Sequence, residues 1–183
     1  MDAKKTYDFE VTFGEQRTTD DAEGDVVARS DQFPSAAQLQ LVLPQFTGAI
    51  MQTPPIYSAL KLAGRRAYDL ARAGEDVVLQ PRPVTIEALG LLGEEGAGPA
   101  PLAKASFRAI VSKGTYIRSL GCDLAQACGT VGYISRLHRV RLGPFYDSDA
   151  ISLDFIEKTV HNAPPSGNTY PWLLPLTRAL DDI

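Results

Sequence analysis

The residues best suited to chemistry in this 183-residue chain lie between Ser112 and Leu120, in the run Ser-Lys-Gly-Thr-Tyr-Ile-Arg-Ser-Leu. Arg118 falls in the first turn of a predicted helix, where the positive end of the helix dipole disfavours a cation. A carboxylate or phosphate held in a cleft would compensate for that position. Tyr116 could stack on a base or a sugar ring, although tyrosines also pack in cores. The segment points to an anion site, with a solvated surface arginine as the alternative.

Positive charge is concentrated around this segment, although the whole chain has a net charge of −4. Residues 104–141 contain seven Lys or Arg and one acidic residue, Asp123, which gives a net +6. A basic region on an acidic body is typical of a site for a polyanion such as RNA. Four of its residues form a candidate phosphate-contacting stripe: Arg136, His138, Arg139 and Arg141.

The sequence contains no motif for a metal or a nucleotide cofactor. No HxxxH, CxxC, P-loop or GxGxxG pattern occurs. The acidic run 20–25 contains carboxylates that calcium accepts, but it lacks the ligand order of an EF-hand. Cys122 and Cys128 fit neither a disulfide framework nor a zinc spacing. Without an apolar run of ~20 residues or an apolar leader, we expect a cytoplasmic protein with no membrane association.

Hydrophobic periodicity predicts the elements that must position these residues. Alternation predicts strands, and Ser35 is a suitable N-cap for a helix that Pro44 ends. The predicted strands cover residues 7–13, 26–28, 84–92, 105–111 and 137–142, and the predicted helices cover 35–43, 66–73, 116–127 and part of 147–160. Strands and isolated helices without strict alternation indicate an α+β fold. Residues 163–172 are rich in Pro, Gly, Ser and Asn and predict a surface tail.

Several separate segments together resemble the TruB family of bacterial tRNA pseudouridine-55 synthases. Similar blocks follow one another in the family's order: Lys5-Thr-Tyr, Thr19-Asp-Asp-Ala-Glu-Gly, Thr53-Pro-Pro-Ile-Tyr-Ser-Ala-Leu-Lys, Gly64-Arg-Arg-Ala-Tyr, Ala71-Arg-Ala-Gly, Arg82-Pro-Val-Thr, Ser112-Lys-Gly-Thr-Tyr-Ile-Arg and Ser135-Arg-Leu-His-Arg-Val-Arg-Leu-Gly-Pro-Phe. The resemblance implies the pseudouridine synthase fold, a central, mainly antiparallel or mixed sheet flanked by helices. It also implies a partial catalytic domain over residues 5–160 and a linker over 161–183 toward a C-terminal RNA-binding domain.

The same resemblance implies isomerisation of uridine to pseudouridine in the T-loop of tRNA, without metal or organic cofactor. The target uridine is flipped into a pocket, at a cost on the order of a few kcal/mol. By matching position, Tyr7 stacks on the target base and Arg118 pairs with a catalytic Asp. Tyr116 and Leu137 line the uridine pocket, and Lys61 supports the active-site loop.

One departure from the family is large. The catalytic Asp of the family belongs to a Gly-x-Leu-Asp-Pro-type block, and these 183 residues contain no such block. In the acidic loop, Thr18 also stands where the family has Asp. We therefore expect a catalytic-domain fragment, incomplete at the N-terminus and inactive alone, that self-associates or is complemented by an N-terminal segment. The alternative is a non-catalytic RNA-binding module of the same family; a structural protein without RNA is disfavoured by the basic segment.

Overall fold

A six-stranded antiparallel sheet forms the centre of the computed structural model, which describes residues 3–62, 64–93 and 99–161. The described strands are β1 (Lys5–Phe13), β2 (Glu15–Arg17), β3 (Val26–Arg29), β4 (Gly48–Gln52), β5 (Lys61–Leu62), β6 (Arg65–Arg66), β7 (Arg82–Leu92), β8 (Lys104–Val111), β9 (Gly132–Leu142) and β10 (Phe145–Tyr146). The central sheet has the order β10-β9-β1-β8-β7-β4, while β2-β3 and β5-β6 form separate two-stranded pairs.

Four described α-helices accompany these strands: α1 (Ala36–Val42), α2 (Ala67–Arg72), α3 (Ile117–Ala127) and α4 (Leu153–His161). Ser35 caps α1 as predicted, because its hydroxyl accepts from the Gln38 N–H at 3.2 Å and the Gln38 side chain accepts from the Ser35 N–H at 2.8 Å. A 3₁₀ turn that contains Pro44 then ends the helix. At α4, the Phe155 N–H donates to the Ser152 hydroxyl at 3.2 Å.

One face of the sheet carries the core. Phe9, Val11 and Phe13 alternate along β1 with polar residues, and their side chains are almost fully buried. The Phe9 ring stacks on Phe107 of β8 with 5.3 Å between centroids. Helix α3 adds buried Leu120 and Leu124 to the same cluster. Burial of these side chains fixes α3 against β1 and β9, because each large apolar side chain gains about 2 kcal/mol on leaving water.

The opposite face is polar and is crossed by ion pairs. Asp8 on β1 lies opposite Arg108 on β8, and both carboxylate oxygens accept from its guanidinium at 2.6 Å. This bidentate contact lowers the pKa of the Asp8 carboxyl. Glu10 accepts from the Lys104 ammonium at 3.1 Å. Lys104 and Arg108, two cations of the basic segment 104–141, are thus paired with acidic residues of β1.

The predicted α+β class, with a mainly antiparallel sheet, is confirmed. Two predicted details are wrong. Strand β9 begins at Gly132 rather than near 137, because a glycine followed by the adjacent apolar residues Tyr133 and Ile134 does not show apolar–polar alternation. Strand β4 was not predicted, because its inward positions are Ile50 and a polar residue, Gln52. The predicted surface tail from 163 lies outside the described residues.

Two stretches of sheet edge are open among the described strands. β4 pairs only with β7, and β10 covers only Arg141 and Leu142 of β9. Unpaired edges invite pairing with another strand. The expected self-association or complementation therefore remains a prediction with a structural basis.

Candidate functional site

Arg118 is held at the start of α3 by three acceptors. Its Nη1 donates to the Thr19 carbonyl at 2.9 Å and to Asp21 Oδ2 at 3.1 Å, and its Nη2 donates to the Tyr57 carbonyl at 2.8 Å. About a quarter of each side chain of the Arg118–Asp21 pair is exposed, 24% and 27%. The sequence predicted a cation that needs an anion, and the structure provides one within the chain. The pairing of Arg118 with a catalytic Asp, which the resemblance implies, stays a prediction.

The acidic loop before β3 is built to present Asp21. Its Oδ1 accepts from the Thr19 hydroxyl at 2.5 Å and from the Glu23 N–H at 3.2 Å, while Oδ2 accepts from Arg118. Thr18, which stands where the family has Asp, accepts from the Asp25 N–H at 3.1 Å. A threonine hydroxyl can thus supply the acceptor that closes this loop. Because both Asp21 oxygens are engaged, its carboxylate acts as an anchor for Arg118.

Tyr7 and Leu137 lie on the sheet face that α3 covers. Leu137 is the register partner of Phe9, whose side chain is in the core, and Tyr7 pairs in register with Arg139. Directly paired residues of an antiparallel sheet share a face. Leu137 is nevertheless 48% exposed, because it lies beyond the part of the strand that α3 buries. The structure therefore brings Tyr7, Leu137 and Arg139 to one face of the sheet, with Arg118 on the helix that packs against it.

Tyr116, the residue before α3, has an extended backbone and is held by a side chain from another element. The Gln52 amide donates to the Tyr116 carbonyl at 3.0 Å and accepts from its N–H at 2.8 Å. Sequence inspection missed Gln52 because a glutamine next to a Thr-Pro-Pro run looks like a loop residue. Its near-complete burial, at 1% exposure, is visible only in the fold.

Lys61 lies on the short β5-β6 pair, opposite Arg66. Its side chain is exposed and makes no hydrogen bond or ion pair with Tyr7, Arg118 or Leu137. The segment before it is connected to the site, because the Tyr57 carbonyl accepts from Arg118. The proposed supporting role of Lys61 in the active-site loop stays a prediction.

The four residues of the candidate phosphate stripe lie in different surroundings. Arg136 pairs in register with Glu10 and His138 with Asp8, on the polar face of the sheet. The His138 ring nitrogen Nε2 lies 3.1 Å from Asp147 Oδ2. Arg139 pairs with Tyr7 on the opposite face, and the Arg141 guanidinium lies 4.9 Å from the Tyr146 ring centroid. Because side chains alternate along a strand, these residues do not form one continuous stripe.

Beneath the acidic loop, α3 and the loop bury a small group of acids. Burial raises the pKa of Asp20, against the opposing effects of the nearby Cys122 thiol and Arg118 guanidinium. Burial, together with the nearby Asp20 carboxylate, raises the pKa of Asp123 to about 6. Burial also raises the pKa of the Cys122 thiol, so this cysteine is an unreactive thiol near neutral pH.

Replacing Asp123 with Asn should stabilise the chain at pH 7 by about 1 kcal/mol, after allowance for partial exposure of this carboxyl. A raised folded-state pKa means that the protonated carboxyl favours folding at low pH and that this advantage is lost as pH rises through about 6. The variant and the wild type should therefore differ little at pH 4. Urea unfolding at the two pH values measures the difference. Asp31→Asn, at an exposed position, is the control and should change stability by less than about 0.5 kcal/mol at either pH.

Among the described residues, no group of three or more His, Cys, Asp or Glu side chains could hold a metal ion. The helices of that part of the chain are also too short or too polar to cross a membrane.

Comparison with known proteins gives one family. The model described as TruB family pseudouridylate synthase, N-terminal domain, matches residues 1–117. A protein named tRNA pseudouridine synthase B from Gluconacetobacter diazotrophicus is 48% identical over 183 residues, all of this chain and 57% of that protein. Its namesake from Bradyrhizobium diazoefficiens is 46% identical over 184 residues, which cover 100% of this chain and 52% of that protein. The chain thus spans about half the length of these relatives.

Solved structures agree on the fold. The crystal structure of a Cbf5-Nop10-Gar1 complex contains a chain that matches with a TM-score of 0.53 and 28% identity, over 84% of this chain and 35% of that chain. The structure of an H/ACA RNP bound to a substrate RNA containing 2′-deoxyuridine matches with a TM-score of 0.51 and 23% identity, over 84% of this chain and 33% of that chain. The second match supports the fold alone.

Proposed function

Because the chain belongs to the TruB family of pseudouridylate synthases, we propose that it forms part of a catalytic domain that converts uridine to pseudouridine in the T-loop of tRNA. Residues 5–160 make up the partial catalytic domain, and residues 161–183 lead toward a C-terminal RNA-binding domain. The observation that carries the proposal is the position of Arg118. It belongs to the helix that packs on the sheet face of Tyr7 and Leu137, and three acceptors fix its guanidinium.

In this proposal each residue has a physical task. The target uridine leaves the loop stack, at a cost on the order of a few kcal/mol, and contacts with the pocket offset that cost. The Tyr7 ring stacks on the base, and the exposed Leu137 side chain packs against it together with Tyr116. The Arg118 guanidinium orients the carboxylate that acts on the ribose. A tRNA substrate places the chain in the cytoplasm.

The charge distribution supports RNA as the partner. Several cations of the basic segment are paired with carboxylates on the polar face or at the acidic loop. Arg139 shares its face with Tyr7 and makes no ion pair with a described residue. It is therefore available to a phosphate beside the flipped nucleotide, while Arg136 and His138 face the other side of the sheet near carboxylates.

Replacing Arg139 with Gln should weaken binding of a T-arm RNA hairpin by about tenfold, which is the loss of one phosphate contact. The matched variant Arg136→Gln, three residues earlier on the same strand and on the other face, should change the affinity by less than about threefold. Fluorescence anisotropy over a series of salt concentrations measures both. Arg139→Gln should also reduce the slope of log affinity against log salt by about one. Equal losses in the two variants would contradict the division between the faces.

The catalytic step has its own test. The 183 residues contain no Gly-x-Leu-Asp-Pro-type block, so we expect no conversion of a T-arm uridine by this chain alone. Mixing the chain with a segment that carries the family's Gly-x-Leu-Asp-Pro-type block should restore conversion, as read by carbodiimide labelling and primer extension. Conversion by the chain alone would show that another carboxylate acts as the nucleophile. RNA binding without conversion in the mixture would favour the second candidate, a non-catalytic RNA-binding module.

A further inference from the structure

Gln52 is a buried amide that the proposed chemistry does not yet use. It is the last residue of the edge strand β4 and is 1% exposed. Its Nε2 donates to the Tyr116 carbonyl at 3.0 Å, and its Oε1 accepts from the Tyr116 N–H at 2.8 Å. One side chain thus supplies both the acceptor and the donor that a neighbouring strand would offer. Among side chains that are ordinarily uncharged at neutral pH, the amides of Asn and Gln present a donor and an acceptor side by side on one planar group.

The residue that Gln52 holds is the point where α3 begins. Tyr116 is the N-cap of α3, with an extended backbone (φ −103°, ψ 112°), and its own side chain makes no capping hydrogen bond. Its carbonyl also accepts from the Leu120 N–H at 3.1 Å. Gln52 therefore fixes the last residue before the helix, and with it the direction of the Tyr116 side chain and the place from which Arg118 extends.

Two more contacts tie the segment after Gln52 to the same turn of helix. The Ser119 hydroxyl donates to the Thr53 carbonyl at 2.8 Å, and Arg118 Nη2 donates to the Tyr57 carbonyl at 2.8 Å. Both of these are single hydrogen bonds. The Gln52 contact uses a donor and an acceptor together, and its side chain is the more deeply buried, at 1% exposure against 7% for Ser119. Loss of it leaves two buried backbone groups without this partner.

We propose that Gln52 is a positioning residue for uridine recognition. It clamps the backbone of Tyr116, so that Tyr116 and Arg118 form a preorganised site for the flipped nucleotide. This inference rests on the proposed function, and Gln52 acts through Tyr116 without touching the substrate. A preorganised site avoids an ordering cost when the nucleotide enters, so the clamp should raise affinity for the base itself and leave contacts to phosphates unchanged.

The test uses the ratio of affinities of the chain for two T-arm RNA hairpins, one with uridine at the target position and one with an abasic site there. Gln52→Glu keeps the shape of the side chain. When protonated, its carboxyl reproduces the donor and the acceptor; when ionised, it presents only acceptors to the Tyr116 carbonyl. Burial and that carbonyl raise its pKa above the ordinary value of about 4.3. Discrimination should therefore be near wild type at pH 5 and about tenfold lower at pH 8.

Other titrating groups are controlled within the same experiment. Arg82 is the register partner of Gln52, and Arg118 lies two residues after Tyr116 on α3. Asp20 and Asp123 titrate in every version of the chain, so each variant is compared with the wild type at the same pH. Gln40→Glu adds the same charge at an exposed position of α1 and should leave the ratio unchanged. Gln52→Met is uncharged and should lower discrimination equally at both pH values.

The outcomes of this experiment distinguish the positioning role of Gln52 from the proposed function of the chain. The positioning role is supported if Gln52→Glu loses discrimination at pH 8 and recovers it at pH 5, while the wild type and Gln40→Glu show no such change. A wild type that discriminates, together with Gln52 variants that discriminate equally well, overturns the role of Gln52 and leaves the proposed function standing. A wild type that binds both RNAs equally overturns the proposed function, and the positioning role with it. If Gln52→Glu does not fold at pH 8, the Gln52→Met variant decides by the same ratio.

Discussion

Replacing Arg118 with methionine should lower the free energy of unfolding by about 2 kcal/mol and remove discrimination between uridine and an abasic site in T-arm RNA. The loss of stability follows from the acceptors left behind, because Asp21 Oδ2 and the Thr19 and Tyr57 carbonyls all lose their donor. The pair is only about a quarter exposed, so water replaces the guanidinium poorly. Urea unfolding measures the stability, and anisotropy measures binding.

Arg108→Met is the matched control for this prediction. Arg108 makes the shorter contacts, both at 2.6 Å to Asp8, but half of its side chain is exposed, at 50%. We expect a loss below about 1 kcal/mol, because water and salt screen an exposed pair. If distance decided the energy, Arg108→Met would be the more damaging change. That result would contradict the view that burial and the number of stranded acceptors make Arg118 important.

The site shows what residue types could reveal and what they could not. Arg118 was identified because a cation in the first turn of a helix needs compensation, and that argument is local. Its partner could not be identified this way, since Asp21 is 97 residues away in sequence and reaches Arg118 only through the pairing of the acidic loop with β9. The resemblance to the family did not indicate Asp21, because it implies that the catalytic Asp belongs to a separate block of sequence.

Gln52 and the basic residues of β9 show a second limit. A polar residue at an inward position weakens the alternation by which strands are recognised, so β4 escaped prediction. In β9 the bulges opposite Glu10–Val11 and Thr6–Tyr7 shift the register. Strict alternation of side chains, counted from the sequence alone, therefore cannot assign Arg139 and Arg141 to their faces of the sheet. By contrast, β1, β8 and α3 have long, regular apolar patterns and were predicted to within a few residues.

The second large effect is expected at Gly132, where α3 packs closely on β9. A side-chain Cβ at this position would lie 2.9 Å from the Ala125 Cβ and 3.1 Å from the Thr12 carbonyl oxygen. Neither neighbour can move easily, because one belongs to the helix and the other to the backbone of the paired strand. Gly132→Val should therefore destabilise the chain by about 2 to 3 kcal/mol, with Gly132→Ala in between. It should also reduce uridine discrimination, because a helix lifted from β9 carries Arg118 away from Leu137.

Gly90→Val provides the comparison, since it makes the same change in a strand of the same sheet. A Cβ at Gly90 meets nothing within 4 Å, so valine should be neutral or stabilise β7 by up to about 1 kcal/mol through its β propensity. Thermal and urea unfolding of both variants separate a steric effect from a general cost of replacing a strand glycine. If Gly132→Val kept wild-type stability and uridine discrimination, close contact of α3 with β9 would not be what places Arg118. The clamp by Gln52 and the acceptors around Arg118 would then have to set the position of the site by themselves.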